Sequence, residues 1–535
     1  MPDSDTVHIP HGPIPHGPIP HDPIPHDPGP PRGAELFEQA FTRVSGAPAV
    51  GGNAVRLLRD AGENYPAWLE AIATARRFVH FENYIVADDR IGRAFAEALA
   101  ERARAGVAVR VLYDWWGCLG EAGTGFWEGL RRAGAEVRVF NRPRLRAPFG
   151  WISRDHRKLL TVDGAVGFVS GLCVAEDWAG RPPEGPAGEG QPAWRDTGVE
   201  LRGPAVADLD RAFAGTWRVA GGTLPPLEAG AGAAAGAGPA AVRVVRGRPG
   251  QLSAYRLDQL VAAGARKTLW LTDAYFVATT GYVRALTEAD RDGVDVRILL
   301  PGASDVPLAQ ALSRTGYRPL LETGIRIYEW NGPMLHAKTA VCDGRWARVG
   351  STNLNPTSWL TNWELDVTVD DPGFAAEMES MFLADLAQAT EVVPETRRRR
   401  HFLGHGHRHH PPGHPRRGSG GRLAAGAISL GSAAGAAITG SRPLAAAEGG
   451  AVLGLGLGLL GFAGLALLFP LLVAVPAALA AAWAGLVMLS RSRLLRRGTP
   501  PPDALPETVP PDAPPDAPPP ATLSPDAPPA RPPGT

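Results

Sequence analysis

The chain has 535 residues, of which 44% are hydrophobic and 20% charged, and its formal net charge is zero. That length exceeds one ordinary domain and the apolar fraction is enough for sizeable cores, so two or three folded units are expected. Charge balance excludes the global basic field of many nucleic-acid binders. Three cysteines without C-x-x-C spacing, Cys118, Cys173 and Cys342, argue against a disulfide framework or zinc site and for a reducing, cytoplasmic setting.

In chain order, residues 1–33 repeat a five-residue His/Pro/Ile unit that favours extended backbone and cannot form a core. They lack a cationic region followed by an apolar one, so they do not read as a signal peptide. Their histidines are metal-ligand types, but the composition favours a flexible, non-catalytic tail. Residues 34–220 form a first unit in which "RFVHFENYIV", "VAVRVLYD" and "AEVRVF" are strands, with a helix in "GRAFAEALAERARAG". Residues 221–241 are a Gly/Ala/Pro linker. Residues 242–392 repeat the first unit: "ARKTLWLTDAYFV" answers "ARRFVHFENYIV", "GVDVRIL" answers "GVAVRVL", and "GIRIYEWN" answers "GAEVRVFN". Strands alternating with helices imply an α/β fold of two duplicated units, each a mixed sheet flanked by helices, packed about a pseudo-twofold axis.

Residues 393–421 are basic and histidine-rich, and near an anionic lipid surface each basic side chain contributes about 1 kcal/mol. Residues 422–490 read as a membrane region. No charge occurs between 449 and 490, a run longer than the roughly 20 residues of one crossing, and Pro470 and Pro476 mark a break between two helices of a transmembrane hairpin. Arginines on both flanks place both ends in the cytoplasm. Residues 491–535 are a proline-rich, unfolded tail.

The chain has only three lysines, and two of them lie in H-x-K-x-x-x-x-D stretches at equivalent places of the repeat: His156, Lys158 and Asp163, and His336, Lys338 and Asp343. Period-two alternation sets His156, Lys158, Leu160 and Val162 on one strand face. Two histidines and two lysines suit phosphodiester chemistry. One imidazole attacks phosphorus, the other protonates the leaving alcohol, and the ammonium groups neutralise the non-bridging oxygens. A lysine is a compact point charge that the broad arginine fork cannot replace. Cys342 is read as an apolar filler rather than a nucleophile. Lysines beside each histidine would repel a divalent ion, so no metal and no cofactor is expected. Arg142, Arg144, Arg146 and Arg154, ahead of the first motif, are either headgroup contacts or a solvated face.

With "GENYPAWLEAI", "WRDTGVELRGPAV" and "VGSTNLNPTSWLTNWELDV" alongside the two motifs, the chain resembles the phospholipase D superfamily and, within it, bacterial cardiolipin synthases, over residues 50 to 392. The resemblance implies nucleophile and general acid roles for His156 and His336, phosphate binding by Lys158, Lys338, Ser351 and Asn353, and orientation of the histidines by Asp196 and Glu364. An orienting carboxylate also favours the imidazolium. Asp163 and Asp343 are implied as supports of the site, and Glu82 as a further carboxylate. Departures are Cys173 where asparagine is common, Cys118 where serine is usual, and Ala274 for a frequent proline. The implied activity is phosphatidyl transfer between two phosphatidylglycerol molecules, giving cardiolipin and glycerol through a phosphohistidine intermediate. The alternatives are hydrolysis by a phospholipase D and, further off, another phosphodiesterase or nuclease. Phospholipid and an anionic membrane are the expected partners, without nucleic acid, and the inner membrane's cytoplasmic face is the expected location.

Overall fold

In a computed structural model, residues 32–143, 152–182, 190–225 and 236–393 are described, with scattered positions between 457 and 486. The first half comprises α1 (Arg32–Ser45), β1 (Val50–Arg59), α2 (Asp60–Thr74), β2 (Phe78–Asn83), α3 (Arg90–Arg104), β3 (Ala108–Asp114), α4 (Thr124–Arg132) and β4 (Glu136–Phe140). It continues through β5 (Lys158–Val162), β6 (Val166–Ser170), α5 (Glu176–Ala179), β7 (Thr197–Arg202) and α6 (Val206–Val219). The second half comprises β8 (Ala240–Gly247), α7 (Ser253–Gly264), β9 (Thr268–Thr272), α8 (Thr280–Arg291), β10 (Asp295–Pro301), α9 (Pro307–Thr315), α10 (Tyr317–Leu321) and β11 (Arg326–Trp330). After these come β12 (Thr339–Cys342), β13 (Trp346–Gly350), α11 (Pro356–Leu360), β14 (Glu364–Asp370), α12 (Pro372–Leu386) and β15 (Ala389–Val392).

All described strands join one mixed sheet in the order β15-β11-β10-β9-β12-β13-β14-β8-β1-β7-β6-β5-β2-β3-β4. Parallel pairs β2–β3–β4 and β9–β10–β11 are linked by helices, as parallel crossovers require, while β5–β6–β7 and β12–β13–β14 are antiparallel meanders. The halves meet where β1 runs antiparallel to β8.

Strand alternation sends residues to two faces. In β5, Leu160 and Val162 enter an outer core with Trp68, Phe81, Phe95 and Phe168, while Leu159 faces an inner core. That inner core draws on both halves: Phe213 and Trp217 of α6 and Met378 and Phe382 of α12 lie in one cluster with Leu112, Val199, Val349 and Val367. A second outer core under α7, α8 and α10 contains Cys342, beside Leu269, Leu286 and Ile298. Burial pushes the Cys342 thiol up to about 12, so it serves as apolar filling. All three cysteines are free and buried.

α1 departs from the expected grouping of residues 34–220. Phe41 packs on Trp346 with ring centroids 6.4 Å apart, and Glu38 pairs with Arg243, so this amphipathic helix covers the second half. Its aromatic face finds an uncovered apolar surface there.

The Pro/His repeat at 1–31, residues 226–235 of the linker, the basic segment from 394, nearly all of the expected hairpin and the tail lie outside the described residues. Among the described residues no helix is long and apolar enough to cross a membrane. Gly458–Thr535 forms a unit of its own, whose described positions are helical and include exposed Leu460, Leu467, Leu468 and Leu486.

Candidate active site

His156 and His336 each sit just before a strand, not within it: β5 starts at Lys158 and β12 at Thr339. Each is pinned through its backbone by the opposite half. His156 N–H donates to the Trp363 carbonyl at 2.9 Å, and Trp363 N–H donates to Arg154 at 2.7 Å. In the matching bridge, His336 N–H donates to Arg195 at 2.7 Å and Arg195 N–H to Met334 at 2.9 Å.

These bridges bring in the carboxylates crosswise. Glu364, next to Trp363, places Oε2 2.9 Å from His156 Nδ1; Asp196, next to Arg195, places Oδ2 2.7 Å from His336 Nδ1. With a carboxylate at Nδ1, that nitrogen carries the proton and donates, which leaves Nε2 with a free lone pair. Neither half holds a complete histidine–acid pair by itself.

The acids are supported differently. Glu364 accepts from Ser351 Oγ at 2.6 Å and from Asn362 Nδ2 at 3.1 Å. Asp196 accepts from Trp178 Nε1 at 2.8 Å and from Thr197 N–H at 2.8 Å. Register aligns Ser351 with Gly171, where a Cβ would lie 2.1 Å from Asp196 Oδ1, so no serine fits in the first half. Ser351 was expected to bind phosphate, but its hydroxyl is committed to Glu364 and also accepts from Leu365 N–H at 2.9 Å. Asn353 does line the cleft, and its buried Oδ1 has no hydrogen-bond partner among the described residues. Cys173, at the equivalent position, lines the same cleft.

Each lysine reaches back to the carbonyl of its own histidine, and each lies near an aromatic face: Lys158 Nζ is 5.0 Å from the Tyr84 ring centroid and Lys338 Nζ 5.9 Å from that of Tyr275. Both histidines open into one solvent-open cleft of about 870 Å³. Its walls include Tyr84, Tyr275, Trp178, Trp194 and Arg154. Trp178 and Trp194 hold ring centroids 5.2 and 5.8 Å from His336, and Tyr84 stands 4.9 Å from His156.

Burial dominates the titration of the two rings and lowers His156 to about 4 and His336 to about 3, with Lys158 and Lys338 adding repulsion; Glu364 and Asp196 do favour the imidazolium, as expected, but are outweighed. Lowering of this size favours the neutral form of both rings near pH 7. Burial also lowers Lys338 to about 8, against the attraction of Asp196. Burial opposes charge on Asp196 and Glu364 as well, but the histidines and lysines around them hold both carboxyls below the ordinary range.

Asp163 and Asp343 do not join this cluster. Each follows its strand at positive φ (56° and 53°), about 17 Å along the strand from the lysine end. Asp163 accepts from Arg76, Arg77 and Phe78 N–H, all at 2.8 Å; Asp343 accepts from Arg266, Lys267 and Thr268 at 2.7–2.9 Å. They cap the entry to β2 and β9. Glu82 is fully buried on β2 and raised by burial, away from the cleft walls. Sequence reasoning missed Trp178, Trp194 and Asn362; the last two stand two residues before the acids, the one signal that pointed to them. Among the described residues no three His, Cys, Asp or Glu side chains group as metal ligands.

Residues 260–386 match a family model described as cardiolipin synthase, PLD-like domain. The chain is 34% identical over 374 residues to cardiolipin synthase A of Pseudomonas aeruginosa, covering 67% of this chain and 72% of that one. It is 33% identical over 384 residues to the protein of the same name from Pseudomonas syringae, covering 68% and 76%. The fold is similar to the crystal structure of phosphatidylserine synthase from Haemophilus influenzae, with TM-score 0.51, 16% identity, and coverage of 67% of this chain and 92% of that one.

Proposed function

The chain belongs to the cardiolipin synthase family of the phospholipase D superfamily, and on that premise we propose that it moves the phosphatidyl group of one phosphatidylglycerol onto a second, giving cardiolipin and glycerol. In this reading one histidine Nε2 attacks phosphorus and the bond to glycerol breaks. The other histidine hands the departing oxygen a proton. That same histidine then takes the proton from the hydroxyl of the second phosphatidylglycerol, whose oxygen attacks the phosphohistidine. Bonds of like energy are exchanged, so no nucleotide is needed.

The observation that carries the proposal is the crosswise pairing of His156 with Glu364 and His336 with Asp196 on one cleft. A nucleophile must be neutral and a general acid protonated, whereas burial leaves both rings neutral. The phosphodiester anion resolves this: its charge beside the lysines and histidines raises the imidazole that will act as acid, so a reactive protonation state forms only with substrate present. Lys158, Lys338 and Asn353 are assigned to the non-bridging oxygens, Glu364, Asp196 and Ser351 to orienting the rings, and Asp163 and Asp343 to holding the strands. The aromatic walls favour transfer over hydrolysis by limiting water.

Residues 34–220, less helix α1, and 242–392 are read as two duplicated units about a pseudo-twofold axis, a reading supported by their matching strand orders around the β1–β8 seam. The uncharged run 449–490 with arginines on both flanks supports a helical hairpin in the inner membrane, with catalysis on the cytoplasmic face. The test is to incubate purified full-length protein with phosphatidylglycerol vesicles and resolve the products. Cardiolipin and glycerol, lost in both His156→Ala and His336→Ala, are expected. Phosphatidic acid as the main product would make the protein a hydrolase, and activity surviving in either variant would refute the two-histidine reading.

A further inference from the structure

A second, open cavity of about 850 Å³, counted to its solvent mouth, is lined by Arg211, Arg218, Arg246 and Arg248 with Leu224 and Pro225. It lies where the last turns of α6 meet the end of β8 and shares no lining residue with the catalytic cleft. Arg211 is paired with Asp208, whereas Arg218, Arg246 and Arg248 have no acidic side chain within ion-pair distance among the described residues. Arg246 and Arg248 are half-buried. Burial and the neighbouring guanidinium groups, Arg157 included, make their charged forms costly, an effect that the Asp208 carboxylate offsets only in part at Arg246. Solvated surface arginines splay into water and carry no such cost. Four guanidinium groups on one concave wall, of which only Arg211 has an ion-pair partner, with Asp208 acting on Arg246 from further off, are an arrangement for binding an anion with several oxygens, since each fork can bond two.

We propose that this cavity is a second anion site that takes a phosphate-bearing ligand, separate from the catalytic cleft. Its back wall connects to the catalytic machinery through one residue. Arg248 lies 5.6 Å from the Trp363 ring centroid and Arg157, the residue after His156, lies 5.4 Å from it. The Trp363 carbonyl accepts the His156 N–H. Arg157, which does not line the cavity, is satisfied by the Glu364, Ala212 and Gly247 carbonyls and is held in place behind Trp363, whereas Arg248 lines the cavity itself. An anion that draws Arg248 toward itself acts on the residue that pins His156, which makes the site a means of coupling anion occupancy to the first half-site. A phosphate group reaches such a cavity either as a free anion or as a lipid headgroup.

The test uses the full-length protein and reads binding directly, so it stands whatever reaction the cleft performs. Inorganic phosphate is titrated by calorimetry into wild type, His156→Ala/His336→Ala and Arg246→Gln/Arg248→Gln. The histidine variant is expected to keep the arginine-dependent phase, and the arginine variant to weaken it at least about tenfold, as the loss of two charge-assisted contacts implies. Co-sedimentation with phosphatidylglycerol and with phosphatidylcholine vesicles separates the sources. Weaker binding of the arginine variant to the anionic vesicles alone assigns a headgroup; unchanged vesicle binding with lost phosphate binding assigns a free anion. If Arg246→Gln/Arg248→Gln does not fold, the exposed pair Arg211→Gln/Arg218→Gln is read the same way. Folded variants that match wild type in both measurements overturn the proposal.

Discussion

Replacing each acid by its amide separates the two halves of the site. In Asp196→Asn, the two oxygens of the acid accept from three donors: Trp178 Nε1, Thr197 N–H and His336 Nδ1. Either amide orientation sets an NH2 against one of these N–H groups, and the one that faces His336 forces the proton to Nε2, where it blocks attack. In Glu364→Gln the conflict is avoidable. An amide oxygen toward His156 and Ser351 leaves the NH2 facing Asn362, which can turn its own amide to accept, and the Ser351 carbonyl, 3.1 Å from His156 Nδ1, still holds the tautomer. The first variant is therefore expected to lose about 10³-fold in kcat, about 4 kcal/mol, and the second about 10²-fold. The alkaline limb of activity supplies a second readout. Lys338 is charged below about 8, and Asp196 is the strongest of the groups that resist a further fall, ahead of Asp273. Removing the Asp196 charge moves that limb to lower pH, whereas Glu364→Gln leaves it in place. Initial rates of cardiolipin formation across pH, with circular dichroism to establish folding, measure both effects. Equal losses, or a larger loss in Glu364→Gln, would refute the reasoning.

The fall of Lys338 from 10.5 to about 8 corresponds to about 3 kcal/mol against the charged form. Lys338→Met is thus expected to abolish turnover yet gain about 2 kcal/mol at pH 7 after the lost hydrogen bond to His336 is counted. The penalty is full below pH 8 and fades toward pH 10.5, so only wild type gains stability over that interval in denaturant titrations. Asp163→Ala and Asp343→Ala each remove three backbone hydrogen bonds at a positive-φ turn and are expected to cost about 2–4 kcal/mol, read by thermal unfolding, with little change in kcat of the folded protein. In Gly171→Ala the new methyl would stand 2.1 Å from Asp196 Oδ1, and displacement of that acid is expected to reduce the rate by about 10²-fold.

Much of the site was legible because its chemistry is concentrated in rare residues. Three lysines in the chain, two of them within repeated H-x-K-x-x-x-x-D stretches, led to His156, Lys158, His336 and Lys338; both histidines line one cleft, and each lysine lies beside its own histidine. Strands were readable for the same reason that their cores form: period-two alternation in "FVHFEN" and "VRILLP" is the alternation that divides inner from outer core.

The sequence by itself determined the chemical groups, their repetition and the strands that carry them. Tertiary structure alone decided which acid serves which histidine, because Glu364 and His156 stand 208 residues apart and meet only through the bridge at Trp363. It also decided that the motif aspartates cap strand entries while Ser351 props an acid, and that burial overrides the carboxylates in setting the charge of the rings. These are properties of dielectric and of approach in space, and a linear order of residues carries neither.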